Sequence, residues 1–317
     1  MKNLSKIFFR IDNYNQKVQN NARKHRIIKL LFYIIFSFAL LKMKTKKGIF
    51  MFWDTHLHCN FSGDSSSRPQ DMAEAAAARG LPGICFTDHL DYDYPPDPGL
   101  FLFDPAIYEK EIKKLQKQYA GRLEILHGIE LGLQPHLAKR HRQLLADCAF
   151  DFVIGSSHVV HGMDPYYAAY YDGRTEEEAY LEYFTSILEN IRAFHAFDVY
   201  GHIDYVVRYG PNKNAHYTYE KFRAVLDDIL KLLISLGKGI EVNTAGFKYG
   251  LGHPNPCEEI LKRYHALGGE ILTVGADAHE PRHVGYDFPK LPALLRSCGF
   301  SYYTVFKNRR PEFIPIP

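Results

Sequence analysis

The sequence predicts an α/β protein whose parallel strands close into a barrel, and three observations support this fold class. After residue 50, short apolar runs rich in β-branched residues alternate with amphipathic helical patterns. Seven such strand–helix units follow one another without a flexible linker, and that many units form a closed or distorted barrel more economically than an open sheet. A residue able to bind a metal stands at the end of every predicted strand.

The predicted strands are short apolar runs, and cap residues mark the helices between them. The strands span residues 49–55, 83–87, 123–129, 151–156, 199–202, 239–243 and 271–275. Helix starts are predicted at Ser67 with Pro69, Asp104 with Pro105, Thr175 with Glu178, and Thr218. Helix ends are predicted at Gly80, Gly121 and Gly237.

Charge divides the chain into two parts. The first 50 residues hold 12 Lys and Arg and one acidic residue, whereas residues 51–317 hold 27 basic and 35 acidic residues. The apolar run at 30–41 has 12 residues, fewer than the roughly 20 that span a bilayer. We interpret residues 1–50 as a dispensable N-terminal extension or an upstream extension of the reading frame; a short membrane anchor is the alternative. Residues 51–317 are predicted to form one catalytic domain.

The composition narrows the partners and the compartment. The mildly acidic body does not favour a nucleic-acid partner, and the short apolar run does not favour a membrane partner. Five scattered cysteines without a CxxC pair argue against a disulfide framework or a thiolate zinc site. The sequence therefore predicts a cytoplasmic protein, and it leaves the oligomeric state open.

Histidines and carboxylates at the strand ends point to a metal site. His56 and His58 stand on alternate positions, so they face the same side of a strand. Because the carboxyl ends of barrel strands form one rim, residues distant in sequence converge there. A single histidine after a strand is usually hydrogen-bonded or exposed, but polar residues at all seven ends would be costly to bury without cations. The predicted metal ligands are His56, His58, Asp64, His89, Glu130, His158, His202, Asp277 and His279.

Nine donors exceed what one metal ion requires. A tetrahedral zinc takes three or four protein ligands, so the set fits two or three divalent ions. Glu130 and Asp277 are the predicted bridges, because a carboxylate can divide its oxygens between ions. Nitrogen and oxygen donors without thiolate suit Zn²⁺, Fe²⁺ or Mn²⁺. Glu241 is predicted to support the site, His161 and His253 are left open, and the remaining histidines (His127, His136, His141, His195, His216, His265 and His283) are interpreted as ordinary.

These motifs resemble the polymerase and histidinol phosphatase (PHP) superfamily. DTHLH, TDH, the Glu of HGIE, GSSH, GHID and DAH occur in the order and strand context of that family across residues 52–285. The resemblance implies a distorted (β/α)₇ barrel with a trinuclear metal centre at the C-terminal strand ends. It implies three ligand sets, which are His56, His58, Glu130 and Asp277; Glu130, His158 and His202; and Asp64, His89 and His279. Asp64 stands where some members have His, so a ligand is retained.

Within the superfamily, the stretches SGDSS, GSSHVVHG, HIDYVVRYGP, EVNTAGFKYG and DAHEPRHVG look most like the histidinol-phosphatase branch. The resemblance implies hydrolysis of the small phosphate ester L-histidinol phosphate to L-histidinol and phosphate in histidine biosynthesis. Arg208 matches a phosphate-binding Arg of that branch, whereas Lys248 stands where an Arg is usual. Lys keeps the positive charge but loses the bidentate fork.

The implied mechanism is attack by a metal-activated hydroxide on phosphorus. Arg208 and Lys248 would stabilise charge on the phosphate oxygens, and Asp277 or His279 could protonate the departing oxygen. Residues 91–103 and 166–172 are candidates to contact the substrate's amine and imidazole; the alternative is that both are ordinary surface loops.

Three other functions are weighed against this one. The chain could hydrolyse another small phosphomonoester or a nucleotide, although a nuclease would need a basic track. A non-catalytic metal-binding domain is disfavoured because none of the expected ligands is missing. A metal-dependent amidohydrolase usually has a carboxylated Lys at a middle strand, and no Lys occupies that place.

Overall fold

Residues 52–317 are described by the computed structural model, and the predicted N-terminal extension lies outside these described residues. Their ten strands are β1 Asp54–Leu57, β2 Gly83–Phe86, β3 His89–Leu90, β4 Glu124–Gly132, β5 Phe152–Ser156, β6 Val199–Tyr200, β7 Gly239–Asn243, β8 Leu272–Gly275, β9 Tyr302–Lys307 and β10 Arg310–Pro315. Between Phe52 and the C-terminus, no helix is both long and apolar enough to cross a membrane.

Seven parallel strands form the barrel in the order β1-β2-β4-β5-β6-β7-β8, and β3 pairs with β4 beside this path. The first and last strands approach each other: Leu57 forms a parallel bridge with Ala278, and the Asp277 N–H donates to the His56 carbonyl at 2.8 Å. These contacts nearly close the sheet. The predicted seven-stranded α/β barrel is confirmed.

Within residues 52–317, eight helices and five 3₁₀ turns surround the sheet. The helices are α1 Pro69–Ala78, α2 Pro105–Gln118, α3 Ala138–Asp147, α4 Glu176–Ala193, α5 Tyr219–Ser235, α6 Ala245–Lys248, α7 Glu258–Ala266 and α8 Leu291–Ser297. The 3₁₀ turns are Pro135–Leu137, Ala168–Tyr171, Tyr205–Arg208, Pro281–His283 and Phe288–Lys290. Asp104, Thr175 and Thr218 cap α2, α4 and α5 as predicted. Helix α1 begins at Pro69 as predicted, but Arg68 and not Ser67 occupies the N-cap position, and Arg68 makes no side-chain cap bond.

Several strand ends differ from the predicted ones. β1 ends at Leu57, so His56 lies inside the strand and not beyond it. β4 continues to Gly132, which places Glu130 inside the strand as well. The short strand β3 was not predicted, because its two residues carry too little apolar pattern to register as a strand. Polar residues within a strand are therefore part of the barrel wall itself.

A C-terminal hairpin, β9–β10, was also absent from the prediction. Its turn residues Asn308 and Arg309 both have positive φ, which suits a tight hairpin turn. The hairpin packs against the barrel through the Tyr303 hydroxyl, which accepts a hydrogen bond from the Trp53 N–H, and through the Thr304 hydroxyl, which accepts from the Leu272 N–H. It lies at the opposite end of the strands from the predicted ligands.

The core lies on both sides of the barrel wall. All residues of β1, β2, β5, β7 and β8 are buried. Large aromatic side chains such as Tyr108, Phe86 and Phe152 are less than 2% exposed to solvent. This packing holds the C-terminal strand ends in fixed positions, so the side chains that project from them are positioned by the barrel.

Candidate metal centre

All nine predicted ligands converge at the C-terminal end of the barrel. Six lie in or directly after a strand with at most 9% exposure, namely His56, His58, His89, Glu130, His158 and His202. Asp277, on the loop after β8, is 6% exposed. His279 and Asp64 lie nearer to solvent, with side-chain exposures of 23% and 41%. The rim predicted from the strand ends is thus a single cluster.

Glu130 is at the centre of this cluster. Its Oε1 lies 3.0 Å from His202 Nε2 and 3.4 Å from His158 Nε2. Its Oε2 lies 3.1 Å from His56 Nε2, 3.0 Å from His89 Nδ1 and 3.7 Å from His58 Nε2. The two oxygens of one carboxylate therefore face different histidines, which is the arrangement of a bridging ligand.

Asp277 and Asp64 are the other two carboxylates of the cluster. Asp277 Oδ1 lies 3.4 Å from His58 Nε2 and 3.7 Å from His279 Nδ1. Asp64 Oδ2 lies 3.0 Å from His279 Nε2 and 3.7 Å from His89 Nε2. The backbone of Asp277 has φ of 52°, a left-handed conformation that Asp adopts more readily than most residues.

These spacings fit divalent cations. Ligand atoms about 2.05 Å from a tetrahedral ion lie about 3.4 Å from one another, close to the 3.0–3.8 Å separations of the cluster. His58 Nε2, His89 Nδ1 and His279 Nε2 are buried, and within residues 52–317 the carboxylate oxygens beside them do not have the geometry of a hydrogen bond. Buried polar atoms normally have partners. Four overlapping triplets bring their donor atoms within 4.8 Å of one another, namely His58–His89–His279, His56–His58–Glu130, His56–His202–Asp277 and His89–Glu130–His158.

A second layer of side chains orients the histidines. Glu241 accepts a hydrogen bond from His56 Nδ1 at 2.6 Å, and Asp91 accepts one from His158 Nδ1 at 2.6 Å. When Nδ1 donates outward in this way, the Nε2 lone pair faces the cluster, as is usual for metal-binding histidines. Glu241 was predicted as support. Asp91 was not singled out, although its position two residues after His89 was a usable signal.

A glycine is needed beside this second layer. A Cβ on Gly275 would lie 2.2 Å from His56 Cβ and 2.6 Å from Glu241 Oε1. Both contacts are far below van der Waals distance. Gly275 therefore allows β8 to approach β1 closely enough for His56 to reach the cluster.

The charges in the cluster depend on one another. Burial lowers the pKa of His56, yet the carboxylates of Glu241 and Glu130 raise that pKa well above its ordinary value. Burial raises the pKa of Glu130, but His56 and the other imidazoles hold it well below its ordinary value. Burial, His279 and His89 lower the pKa of His58 well below the ordinary value. Cations and protons compete for these nitrogens, so metal binding is expected to weaken as the pH falls.

A cavity of about 570 Å³ opens above the cluster. Both loops predicted to contact substrate line it, through Asp91, Tyr94, Leu100 and Phe101 and through Tyr166 and Tyr167. Other lining residues are Asp164, Tyr205, Arg208, Tyr209, Lys248, Tyr249, Glu280 and His283, together with Asp64, His89, His158, His202, Asp277 and His279 from the cluster. His283 was interpreted as ordinary but lies on this wall. Asp164 was missed, because it lies between the GSSHVVHG stretch and the loop at 166–172 and belongs to neither.

Arg208 lies between the cavity and the cluster. It is 3% exposed and donates from Nη1 to Asp277 Oδ2 at 2.9 Å. Its Nη2 donates to Asn243 Oδ1 at 2.9 Å, and its Nε donates to Asn255 Oδ1 at 2.8 Å. Lys248 Nζ lies 3.5 Å from the Asp277 carbonyl. The two basic residues predicted to bind phosphate therefore stand beside the same ligand.

The two histidines left open by the sequence lie outside the cluster. His161 is about half exposed and pairs with Glu182 and Glu189, each at 3.0 Å. His253 Nδ1 lies 2.6 Å from the Pro254 carbonyl. Neither lines the cavity above the cluster.

Known proteins resemble this chain across most of its length. A family model described as "PHP domain" matches residues 54–245. A histidinol-phosphatase of Lactococcus lactis is 31% identical over 264 residues, which cover 81% of this chain and 95% of that protein. A probable histidinol-phosphatase of Clostridium acetobutylicum is 31% identical, covering 82% of this chain and 98% of that protein. A crystal structure of the Lactococcus lactis histidinol phosphate phosphatase with zinc, L-histidinol and phosphate has a TM-score of 0.78 and 30% identity, covering 83% of this chain and 99% of that one.

Proposed function

The chain belongs to the PHP family, and we propose that it is a histidinol-phosphatase that hydrolyses L-histidinol phosphate to L-histidinol and phosphate in histidine biosynthesis. The observation that carries this proposal is the cavity, whose floor includes six of the nine clustered residues and whose wall includes Arg208 and Lys248. Similarity to histidinol-phosphatases over 95% or more of their length supports the substrate.

The floor of the cavity is proposed to hold two or three divalent ions of zinc, iron or manganese. We assign His56, His58, Glu130 and Asp277 to one ion; Glu130, His158 and His202 to a second; and Asp64, His89 and His279 to a third. When bound, such ions neutralise phosphate charge and lower the pKa of a coordinated water towards 7. Glu130 Oε2 lies beside His56, and its Oε1 lies beside His158 and His202, which supports the separation of the first two sets.

The wall of the cavity is proposed to bind the phosphate. A guanidinium has five N–H donors, and Arg208 uses three of them on Asp277, Asn243 and Asn255. The other two remain for phosphate oxygens, on which charge develops during transfer. Lys248 adds a second positive charge on the same wall. Burial lowers the pKa of Lys248, and Asp277 raises it in part.

Proton transfer is assigned to the loop after β8. Burial raises the pKa of Asp277, but His56, His58 and Arg208 hold it well below its ordinary value. Asp277 is thus ionised at neutral pH, which suits a group that accepts a hydrogen bond from the attacking water and orients it. His279 is partly exposed on the same loop, which suits a group that returns a proton to the departing oxygen.

The test is a substrate comparison on the full-length protein loaded separately with Zn²⁺, Mn²⁺ and Fe²⁺. We expect kcat/KM for L-histidinol phosphate to exceed that for sugar phosphates and nucleoside monophosphates by at least about 100-fold. A different phosphomonoester hydrolysed as well or better would overturn the assigned substrate but leave a PHP phosphatase. Elemental analysis should give two to three ions per chain.

We also propose a cytoplasmic enzyme that acts on a small molecule, without a nucleic-acid or membrane partner. All five cysteines are free thiols, which agrees with a reducing compartment. Residues 51–317 are the proposed phosphatase domain, and residues 1–50 are the proposed dispensable extension. A mass spectrum of the native protein and its distribution between soluble and membrane fractions test these two points.

A further inference from the structure

The wall of the cavity above the cluster includes a further carboxylate, Asp164, opposite in sign to Arg208 and Lys248. Asp164 lies on the loop after β5 and is 7% exposed, yet it lines the cavity. Its Oδ2 accepts a hydrogen bond from the Tyr94 hydroxyl at 2.8 Å, and its Oδ1 accepts from the Tyr166 N–H at 2.7 Å. These neutral contacts fix the orientation of the carboxylate without neutralising it.

Asp164 differs from the other carboxylates on the cavity wall in having no basic partner. Asp64 pairs with His279, Asp91 with His158, Asp277 with Arg208 and Glu280 with Arg282. Within residues 52–317, no Lys, Arg or His nitrogen lies within 4.0 Å of the Asp164 carboxylate. A buried carboxylate is costly unless it is paired. A ligand cation in the cavity would supply the missing charge.

The surroundings of Asp164 suit an ammonium group. Tyr94 and Phe101 pack edge to face at 4.8 Å, and Tyr166 packs against Tyr209 at 5.2 Å. All four rings line the cavity, and aromatic faces attract cations. Burial raises the pKa of Asp164 above its ordinary value, although the Tyr166 N–H, the Tyr94 hydroxyl and His158 lower it in part. A neighbouring cation would favour the ionised form further.

We propose that Asp164 binds the ammonium group of the substrate and thereby determines its specificity. This inference rests on the proposed function, because it assigns to the cavity a substrate with a phosphate at one end and an amine at the other. The phosphate would face Arg208 and Lys248, and the amine would face Asp164 and Tyr94. A phosphomonoester without an amine would leave the carboxylate buried and unpaired.

The test compares two substrates and the variant Asp164→Asn in the zinc-loaded, full-length protein. The substrates are L-histidinol phosphate and imidazolylpropyl phosphate, which lacks only the amine. Asn keeps the size and one acceptor oxygen but removes the charge, so kcat/KM for L-histidinol phosphate should fall by roughly 10- to 100-fold, mainly through KM. For imidazolylpropyl phosphate, kcat/KM of Asp164→Asn should differ from the wild-type value by less than about threefold.

Product inhibition gives a second measurement. L-Histidinol carries the amine without the phosphate, so Asp164→Asn should weaken its inhibition, whereas inhibition by inorganic phosphate should stay the same. Asp228→Asn removes the same charge from an exposed position on α5 and serves as the control. Asp164→Glu keeps the charge, so it should keep the preference for the amine-bearing substrate.

The outcomes separate this inference from the proposed function. If the wild-type protein does not hydrolyse L-histidinol phosphate, the proposed function fails. If the wild-type protein does hydrolyse L-histidinol phosphate, the inference still fails in two cases. In the first, Asp164→Asn lowers kcat/KM for both substrates by the same factor; in the second, it lowers kcat/KM for neither. Asp164 would then only shape its loop. If Asp164→Asn does not fold, loss of the amine preference in Asp164→Glu would overturn the inference.

Discussion

Replacing Glu130 by Gln tests whether one carboxylate joins the metal-binding groups. In the structure Glu130 is fully buried and lies within 3.7 Å of five imidazole nitrogens. Gln has nearly the same shape, but an NH₂ group replaces one oxygen and the negative charge is lost. An amide nitrogen repels a cation, so at least one side of the bridge is removed. Two of the three proposed ion sites share Glu130, and both are expected to weaken.

The magnitude follows from binding linkage. A ligand that binds only the folded chain at 100 times its Kd stabilises it by about 2.7 kcal/mol. Loss of two ions would therefore remove about 5 kcal/mol of unfolding free energy at that zinc concentration. For a domain of this size, 1 kcal/mol corresponds to roughly 2–4 °C in Tm. The expected decrease in Tm is then roughly 10–20 °C.

The assay measures the zinc content and Tm of the wild-type protein and of Glu130→Gln, each with excess zinc and after EDTA treatment. The wild-type protein should bind two to three zinc ions and melt at a higher temperature with zinc than with EDTA. Glu130→Gln should bind fewer ions and show little zinc-dependent change in Tm. Glu124→Gln is the matched control, because Glu124 begins the same strand but pairs with Lys307 and is 49% exposed. Wild-type zinc content in Glu130→Gln would refute the bridging role.

Two further predictions concern other parts of the barrel. Arg208→Ala should raise KM for the phosphate ester and lower the unfolding free energy by about 3 kcal/mol, because Asp277 loses its buried partner; an unchanged KM contradicts the assigned role. Burial lowers the pKa of His141 to about 4, so protonation favours the unfolded chain progressively as the pH falls from about 6.5 to 4. Relative to wild type, His141→Phe should reduce the loss of stability in urea titrations between pH 7 and pH 5 by about 2 kcal/mol, whereas the same change at exposed His216 should not.

The sequence was sufficient to predict the barrel, because its strands are short apolar runs separated by capped helices. Parallel topology then placed residues as distant as His56 and Asp277 at one rim without any knowledge of contacts. The residues at which strands end were predicted less accurately than the strands themselves. Glu130 was placed after its strand because Ile129 ends the apolar run, but pairing of β4 with β5 continues to Gly132. Tertiary pairing, not local pattern, decided that boundary.

The supporting residues were harder to predict than the cluster itself. Asp91 and Asp164 sit on loops, and a loop's path depends on its packing and not on a repeating pattern. Gly275 looked like an ordinary strand end, and only the close approach of His56 shows why a side chain would not fit there. The roles of these positions depend on three-dimensional distances, and of the three only Asp91 had a signal in the sequence, which is its place two residues after His89.

The arrangement of charge in the cavity explains why recognition would depend on both ends of the substrate. In the proposed site, Arg208 and Lys248 would attract any phosphate, so they would not by themselves separate one phosphomonoester from another. A site that leaves a buried polar group unpaired discriminates more strongly than one that merely lacks a contact. In our proposal, Asp164 would be such a group when the ligand has no amine. Selectivity would then arise from the cost of the wrong substrate, and it should decrease when Asp164 loses its charge even though the metal ligands stay unchanged.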